Sequence, residues 1–220
     1  MQNNLSRFSE WGRKVVCVGR NFKDHCVELS NPIPKEPLIF LKPTSSYVVE
    51  GESIKIPNGC NSLHHEVELG VVISKDGSNI LENSAMDYVG GYVLALDMTA
   101  RDWQDKAKKQ GKPWSFAKGF DTACPISSLI PRGDIVNPDD VGLWLKVNGV
   151  EKQNGSTKDM IFNIPSLISY ISHVMTLERG DVVLTGTPEG VGPVEAGDVI
   201  ECGVNNLLTM KFNVMKKFQS

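Results

Sequence analysis

Short apolar runs broken by Gly, Pro and Asn set the texture of this 220-residue chain. The runs at 15–19, 38–41, 67–73, 92–96, 143–147, 182–185, 199–203 and 207–214 have the length and β-branched content of strands. Asn148-Gly149, flanked by two such runs, predicts a two-residue hairpin turn. Helical spacing is rarer. A short helix is expected over 21–29, and a second over 99–110, capped by Thr99 and ending before Gly111. A third, over 165–175, would bury Leu167, Ile168, Ile171 and Val174. Strands and helices do not alternate regularly, which counts against a doubly wound parallel sheet. The pattern predicts a mixed α+β, strand-dominated fold behind an N-terminal extension over 1–14; length alone fits one large domain or two small ones.

The strand over 67–73 carries the first chemical signal. Period-two alternation sends Val67, Leu69, Val71 and Ile73 to one face and Glu66 and Glu68 to the other, about 7 Å apart between Cα atoms. Two such carboxylates suit the solvated face of an edge strand; buried, they need a cation or a proton. In 91–97, Tyr92, Leu94 and Leu96 face one way, while Gly91, Val93, Ala95 and Asp97 face the other, so an acid closes the strand. Glu66, Glu68 and Asp97 together would offer three hard oxygen ligands, a set that prefers Mg²⁺, Mn²⁺ or Ca²⁺ to zinc or copper.

Other candidates surround these acids. His25 and Glu28, three apart on a short helix, share a face, so the carboxylate can orient the imidazole as a general base; an ordinary surface pair has the same spacing. Cys26 points away from both and reads as structural. Lys118 is a lone cation among Trp114, Phe116 and Phe120, either reaching out to solvent or into a site. The Gly-rich loop 185–192 has neither P-loop nor dinucleotide-binding spacing, but Thr187 and its backbone N–H groups could hold an oxyanion.

Charge and cysteine content narrow the partners. With 23 Lys+Arg against 26 Asp+Glu, the formal net charge is −3, which argues against nucleic acid. Lys106, Lys108, Lys109 and Lys112, beside Asp102 and Asp105, read as a solvated helix face. No apolar run approaches the roughly 18–20 residues that span a bilayer. Five scattered cysteines without a CxxC pair argue against disulfide and zinc scaffolds and fit a reducing compartment. The start carries Arg7, Arg13 and Lys14 against Glu10 alone, compatible with the remnant of a transit segment or with a frayed terminus.

Taken with the segments 6–12 and 16–21, the H-x-E-x-E stretch from His64, the L-D-M-T-A-R-D stretch from Leu96 and Thr185-Gly186-Thr187-Pro188 resemble the fumarylacetoacetate hydrolase family, in its acylpyruvase and oxaloacetate decarboxylase branch. That resemblance implies a single domain over 15–220 with a mixed β-sandwich roll, usually a homodimer, in the mitochondrial matrix with the cytosol as alternative. It implies Mg²⁺ or Mn²⁺ held by Glu66, Glu68 and Asp97. His25 and Glu28 would be a catalytic dyad on a lid, and Lys118 the lysine beside the metal. Arg101, Gln104, Thr187 and Arg20 would bind a small 2-oxo acid. The implied chemistry runs through a pyruvate enolate: acylpyruvate hydrolysis, oxaloacetate decarboxylation and enol–keto tautomerisation of oxaloacetate. A same-fold isomerase or hydratase of aromatic-degradation intermediates, and a non-catalytic metal-binding module, are the alternatives.

Overall fold

The computed structural model describes residues 4–28 and 32–217. Its spine is a six-stranded mixed sheet in the order Ile130–Pro131, Val89–Leu96, Val67–Ile73, Val182–Leu184, Val15–Gly19, Leu38–Lys42. Only Val15–Gly19 and Val182–Leu184 run parallel within it. A five-stranded sheet packs over one face, in the order Val150–Ser156, Gly142–Val147, Val199–Val204, Leu208–Lys216, Ser53–Ile56. A three-stranded ribbon of Gly192–Val194, Leu63–His65 and Thr99–Ala100 joins the two. The result is the expected strand-dominated α+β architecture.

Alternation along Val67–Ile73 decides the layering. Val67, Leu69, Val71 and Ile73 join Tyr92, Leu94, Leu96 and the second sheet's Leu143, Leu145, Ile200 and Phe212 in the larger core. Val72 faces the other way, into a smaller core with Val15, Cys17, Val93, Ala95 and Phe8. The strand is therefore central and buried on both faces, which removes the solvated edge as an explanation for Glu68. Phe8 lies in a short helix, Phe8–Trp11, and is 1% exposed, so the chain is anchored before the first strand. Met1–Asn3 and the last three residues, parts of the expected extension and domain, lie outside the described residues.

The Asn148-Gly149 hairpin forms as expected: both residues have positive φ (51° and 79°), and Val147 pairs with Val150. Three helices differ from expectation. The first runs Lys23–Glu28, with Leu29 outside the described residues. The second is Arg101–Lys109 and is not capped by Thr99. Thr99 instead pairs with His64 in the ribbon, and its hydroxyl donates to the Asp97 carbonyl. The third, Ile164–Ser172, is capped by the Asn163 side chain and buries Leu167, Ile168 and Ile171. It stops before Val174, which is 84% exposed.

Candidate metal centre and active-site cleft

Glu66 sits at the hinge where the chain leaves the ribbon strand Leu63–His65 and enters Val67–Ile73. Glu68 is one strand repeat further on. The pairing Val67↔Leu96 brings the end of the neighbouring strand alongside, and the Asp97 N–H donates to the Glu66 carbonyl at 2.8 Å. All three acids are buried, and one oxygen from each lies within 4.8 Å of the others.

Two lysines make this cluster tolerable. The Lys118 ammonium donates to Glu66 Oε2 at 2.9 Å and to Asp97 Oδ2 at 2.5 Å, and stands 4.8 Å over the Phe40 ring. Lys42, which the sequence reading passed over, is 1% exposed and lies 2.7 Å from Asp97 Oδ1. Its donors are directed at the carbonyls of Met98, Lys118 and Ala123, at 3.1, 2.6 and 2.8 Å. Asp97 Oδ1 accepts no hydrogen bond. The ion pair and the missing hydrogen bond agree, because an ammonium has three protons and all are used elsewhere. Lys42 closes the strand Leu38–Lys42, and no motif around it marks a site.

Burial opposes ionisation of Glu66, but Lys118, Arg101 and His25 outweigh it and hold this carboxyl well below the usual range. Glu68 goes the other way. Burial, then Asp97 and Glu66, push it well above that range, although its Oε2 accepts the Gly186 N–H at 2.7 Å. Gly186 adopts φ +102° to aim that N–H. Burial also opposes the charge on Lys118, yet Asp97 and Glu66 raise its pKa.

The remaining candidates line the same cleft. His25, 5% exposed, faces the acids, and its Nδ1 lies 3.2 Å from Glu28 Oε2. The other Glu28 oxygen accepts the Gly190 N–H at 3.0 Å, tying the helix to the Gly-rich loop. Gly190 has φ +91°, and a Cβ there would lie 1.9 Å from the Lys152 carbonyl. Arg101 donates to Glu66 Oε1 and, at 2.6 Å, to Gln104 Oε1. Arg20 and Thr187 complete the wall. The free space between these walls is about 30 Å³.

One further residue escaped the sequence reading, and another was misplaced by it. Gln153, from the second sheet, is 1% exposed; its amide donates to Thr187 Oγ1 and the Pro188 carbonyl at 2.8 and 2.9 Å. Its oxygen accepts from Val67 N–H at 3.0 Å and lies 3.0 Å from His65 Nδ1. Lys108 corrects an expectation: it is half-buried and lines the cleft beside Trp114, whereas Lys106, Lys109 and Lys112 are exposed as expected.

The donor chemistry fits a hard divalent cation: only carboxylate oxygens, and Asp97 Oδ1 with no hydrogen bond to give up. Hard donors beside an imidazole–carboxylate pair are the equipment of metal-assisted enzymes. The chain belongs to the fumarylacetoacetate hydrolase family: the family model described as Fumarylacetoacetate (FAA) hydrolase C-terminal matches residues 14–215. It is 56% identical, over 212 residues, to the oxaloacetate tautomerase fahd-1, mitochondrial, of Caenorhabditis elegans, covering 96% of this chain and 99% of that one. A fumarylacetoacetate hydrolase family protein from Yersinia pestis CO92 superposes with a TM-score of 0.89 at 40% identity, covering 92% of this chain and 93% of that one. Fumarylpyruvate hydrolase from Pseudomonas aeruginosa, solved with Mn²⁺ and pyruvate, gives 0.87 at 34% identity, covering 93% and 90%.

Proposed function

We propose that this chain is a divalent-metal-dependent enzyme of 2-oxo acids whose principal reaction is enol–keto tautomerisation of oxaloacetate, the same residues also serving oxaloacetate decarboxylation and acylpyruvate hydrolysis. The observation that carries this reading is the convergence of Glu66, Glu68 and Asp97 with His25 and Lys118 on one buried cleft. The name of the Caenorhabditis elegans relative supports tautomerisation, and the Pseudomonas aeruginosa enzyme supports the hydrolytic reading.

Glu66, Glu68 and Asp97 would hold Mg²⁺ or Mn²⁺, which when bound supplies Lewis-acid polarisation of a substrate carboxylate and 2-oxo oxygen. The chain's own residues do the rest. Glu28 fixes the His25 ring through Nδ1, leaving Nε2 to take a proton from C3 of the keto acid and return it to oxygen, or the reverse. The Lys118 ammonium offsets the negative charge that develops on the enolate oxygen. Thr187, whose oxygen is already occupied by the Gln153 amide, keeps its own proton for a substrate oxygen. Arg101 and Gln104 contact the substrate from the opposite wall. In hydrolysis His25 takes its proton from water instead; the water oxygen adds to the distal acyl carbonyl, the carbon–carbon bond breaks, and pyruvate leaves as the enolate to be protonated.

Calorimetric titration of Mg²⁺, with and without oxalate as an enolate mimic, tests this together with the decay of enol-oxaloacetate absorbance. Oxalate binding only in the presence of metal, with accelerated enol loss, is expected. Oxalate binding indifferent to metal overturns the reading. The same reading includes the mitochondrial matrix, in line with the word mitochondrial in the relative's name, and a homodimer, which light scattering checks.

A further inference from the structure

Arg101, Gln104 and Lys108 fall at positions i, i+3 and i+7 of one helix, so they form a single stripe, and all three line the cleft. The stripe begins at the acids, where Arg101 bonds Glu66, and ends two turns away, about 10 Å along the axis by the helical rise. Helical side chains lean toward the N-terminus, and the Lys108 ammonium lies 3.8 Å from Asp105, one turn back along the helix.

The surroundings of Lys108 leave its charge poorly matched. Its ammonium stands 5.4 Å from the Trp114 ring centre, and the nearest carboxylate, the exposed Asp105, is 3.8 Å away. Burial disfavours its charge first and Arg101 next; Asp105, Arg20 and Glu66 follow, the two carboxylates favouring the charge without outweighing the rest. Arg101 is already paired with Glu66, while Arg20 has no salt-bridge partner among the described residues. The cleft thus has two unlike parts: three carboxylates with Lys118, which stands over Phe40, and Lys108, which stands over Trp114, with Arg20 in the same lining. A substrate whose only anionic group sits at the acid end leaves the second end unmatched. A second carboxylate would match it.

We propose that Lys108, with Arg20, forms a second anion subsite that takes the distal carboxylate of a dicarboxylic 2-oxo acid, and that Lys108 sets the preference for such acids over acylpyruvates with an uncharged acyl end. This rests on the 2-oxo acid reading above. It adds a direction: the 2-oxo acid end lies toward Glu66, Glu68 and Asp97, and the distal carboxylate lies along the helix stripe.

The test compares wild type with Lys108→Met, Lys108→Gln and Lys108→Arg. Three quantities are measured: kcat/KM for oxaloacetate, kcat/KM for acetylpyruvate, and Mn²⁺-dependent oxalate affinity. Oxalate fills the acid end alone and so reports that end and the integrity of the fold. Removing the cation should lower the oxaloacetate-to-acetylpyruvate ratio of kcat/KM at least tenfold, mainly through KM for oxaloacetate. Oxalate affinity should fall no more than threefold, and Lys108→Arg should restore most of the ratio. An unchanged ratio in both neutral variants, with oxalate binding retained, overturns the subsite. Equal losses on both substrates, with oxalate binding lost in Met and Gln alike, also overturn it, because Lys108 then acts on the whole site. If wild type itself neither binds oxalate with metal nor turns over either acid, the underlying 2-oxo acid reading fails instead.

Discussion

Lys42 Nζ lies 2.7 Å from Asp97 Oδ1, with both side chains buried, yet all three of its protons are directed at backbone carbonyls. The lysine therefore lends Asp97 charge without occupying its lone pairs, and it pins the backbone at Met98, Lys118 and Ala123. That is a useful arrangement beside carboxylates that could hold a metal, because one Asp97 oxygen keeps its full capacity as a ligand.

Lys42→Met removes the charge partner and three buried donors at once. The unfolding free energy should fall by about 3–5 kcal/mol, the range for a buried ion pair that loses one member. Urea denaturation measures it, and a loss under about 1 kcal/mol would show that Lys42 is energetically idle.

Glu68 should carry a proton in the metal-free protein, since burial and its two acidic neighbours raise its pKa. A divalent cation must displace that proton, so binding releases it and affinity rises with pH until Glu68 ionises unaided. Calorimetry in buffers of different ionisation heat counts the proton. Glu68→Ala should abolish metal binding and every activity together; full activity in that variant without metal contradicts the metal assignment.

His25→Gln should cut acetylpyruvate hydrolysis by about 10²–10⁴-fold, the usual contribution of a general base. Oxaloacetate decarboxylation, which needs no activated water, should fall less. Glu28→Gln, which keeps the ring but weakens its orientation, should lie between His25→Gln and wild type. Decarboxylation lost while hydrolysis survives would reverse the role given to His25. Steady-state rates on both substrates decide it.

Cys60 is the cysteine with partial exposure, and burial pushes its thiol up to about 11. Only the thiolate reacts, so alkylation of the folded protein should be slow at neutral pH. It should accelerate about tenfold per pH unit between about 7 and 10, below the raised pKa. A plateau near pH 9 would mean that the thiol titrates normally. Iodoacetamide labelling of wild type against Cys60→Ser isolates it.

Where local pattern and tertiary packing agreed, the chain was legible. Alternation in 67–73 and 91–97 assigned the correct residues to the two cores and the acids to one side, because strand geometry leaves a side chain no third direction. Thr99 misled because a cap and a short strand both favour a β-branched hydroxyl residue, and pairing with His64 won. Lys108 misled for another reason: judged by its own helix it looked solvated, while the groups that make it a cleft residue, Trp114 and Arg20, come from elsewhere in the chain. Lys42 and Gln153 have no local motif at all. Their partners lie 55 to 81 and 34 to 88 residues away, so only the fold could disclose them.

The Glu28–Gly190 contact has one more consequence. A single backbone proton, on a glycine outside the acid cluster, is sheltered by the same carboxylate that steadies the His25 ring. Its exchange with solvent deuterium therefore follows the contact between helix and loop: an opening in which Glu28 swings away frees the Gly190 amide and the His25 ring together, and one peptide's mass registers it with no substrate present.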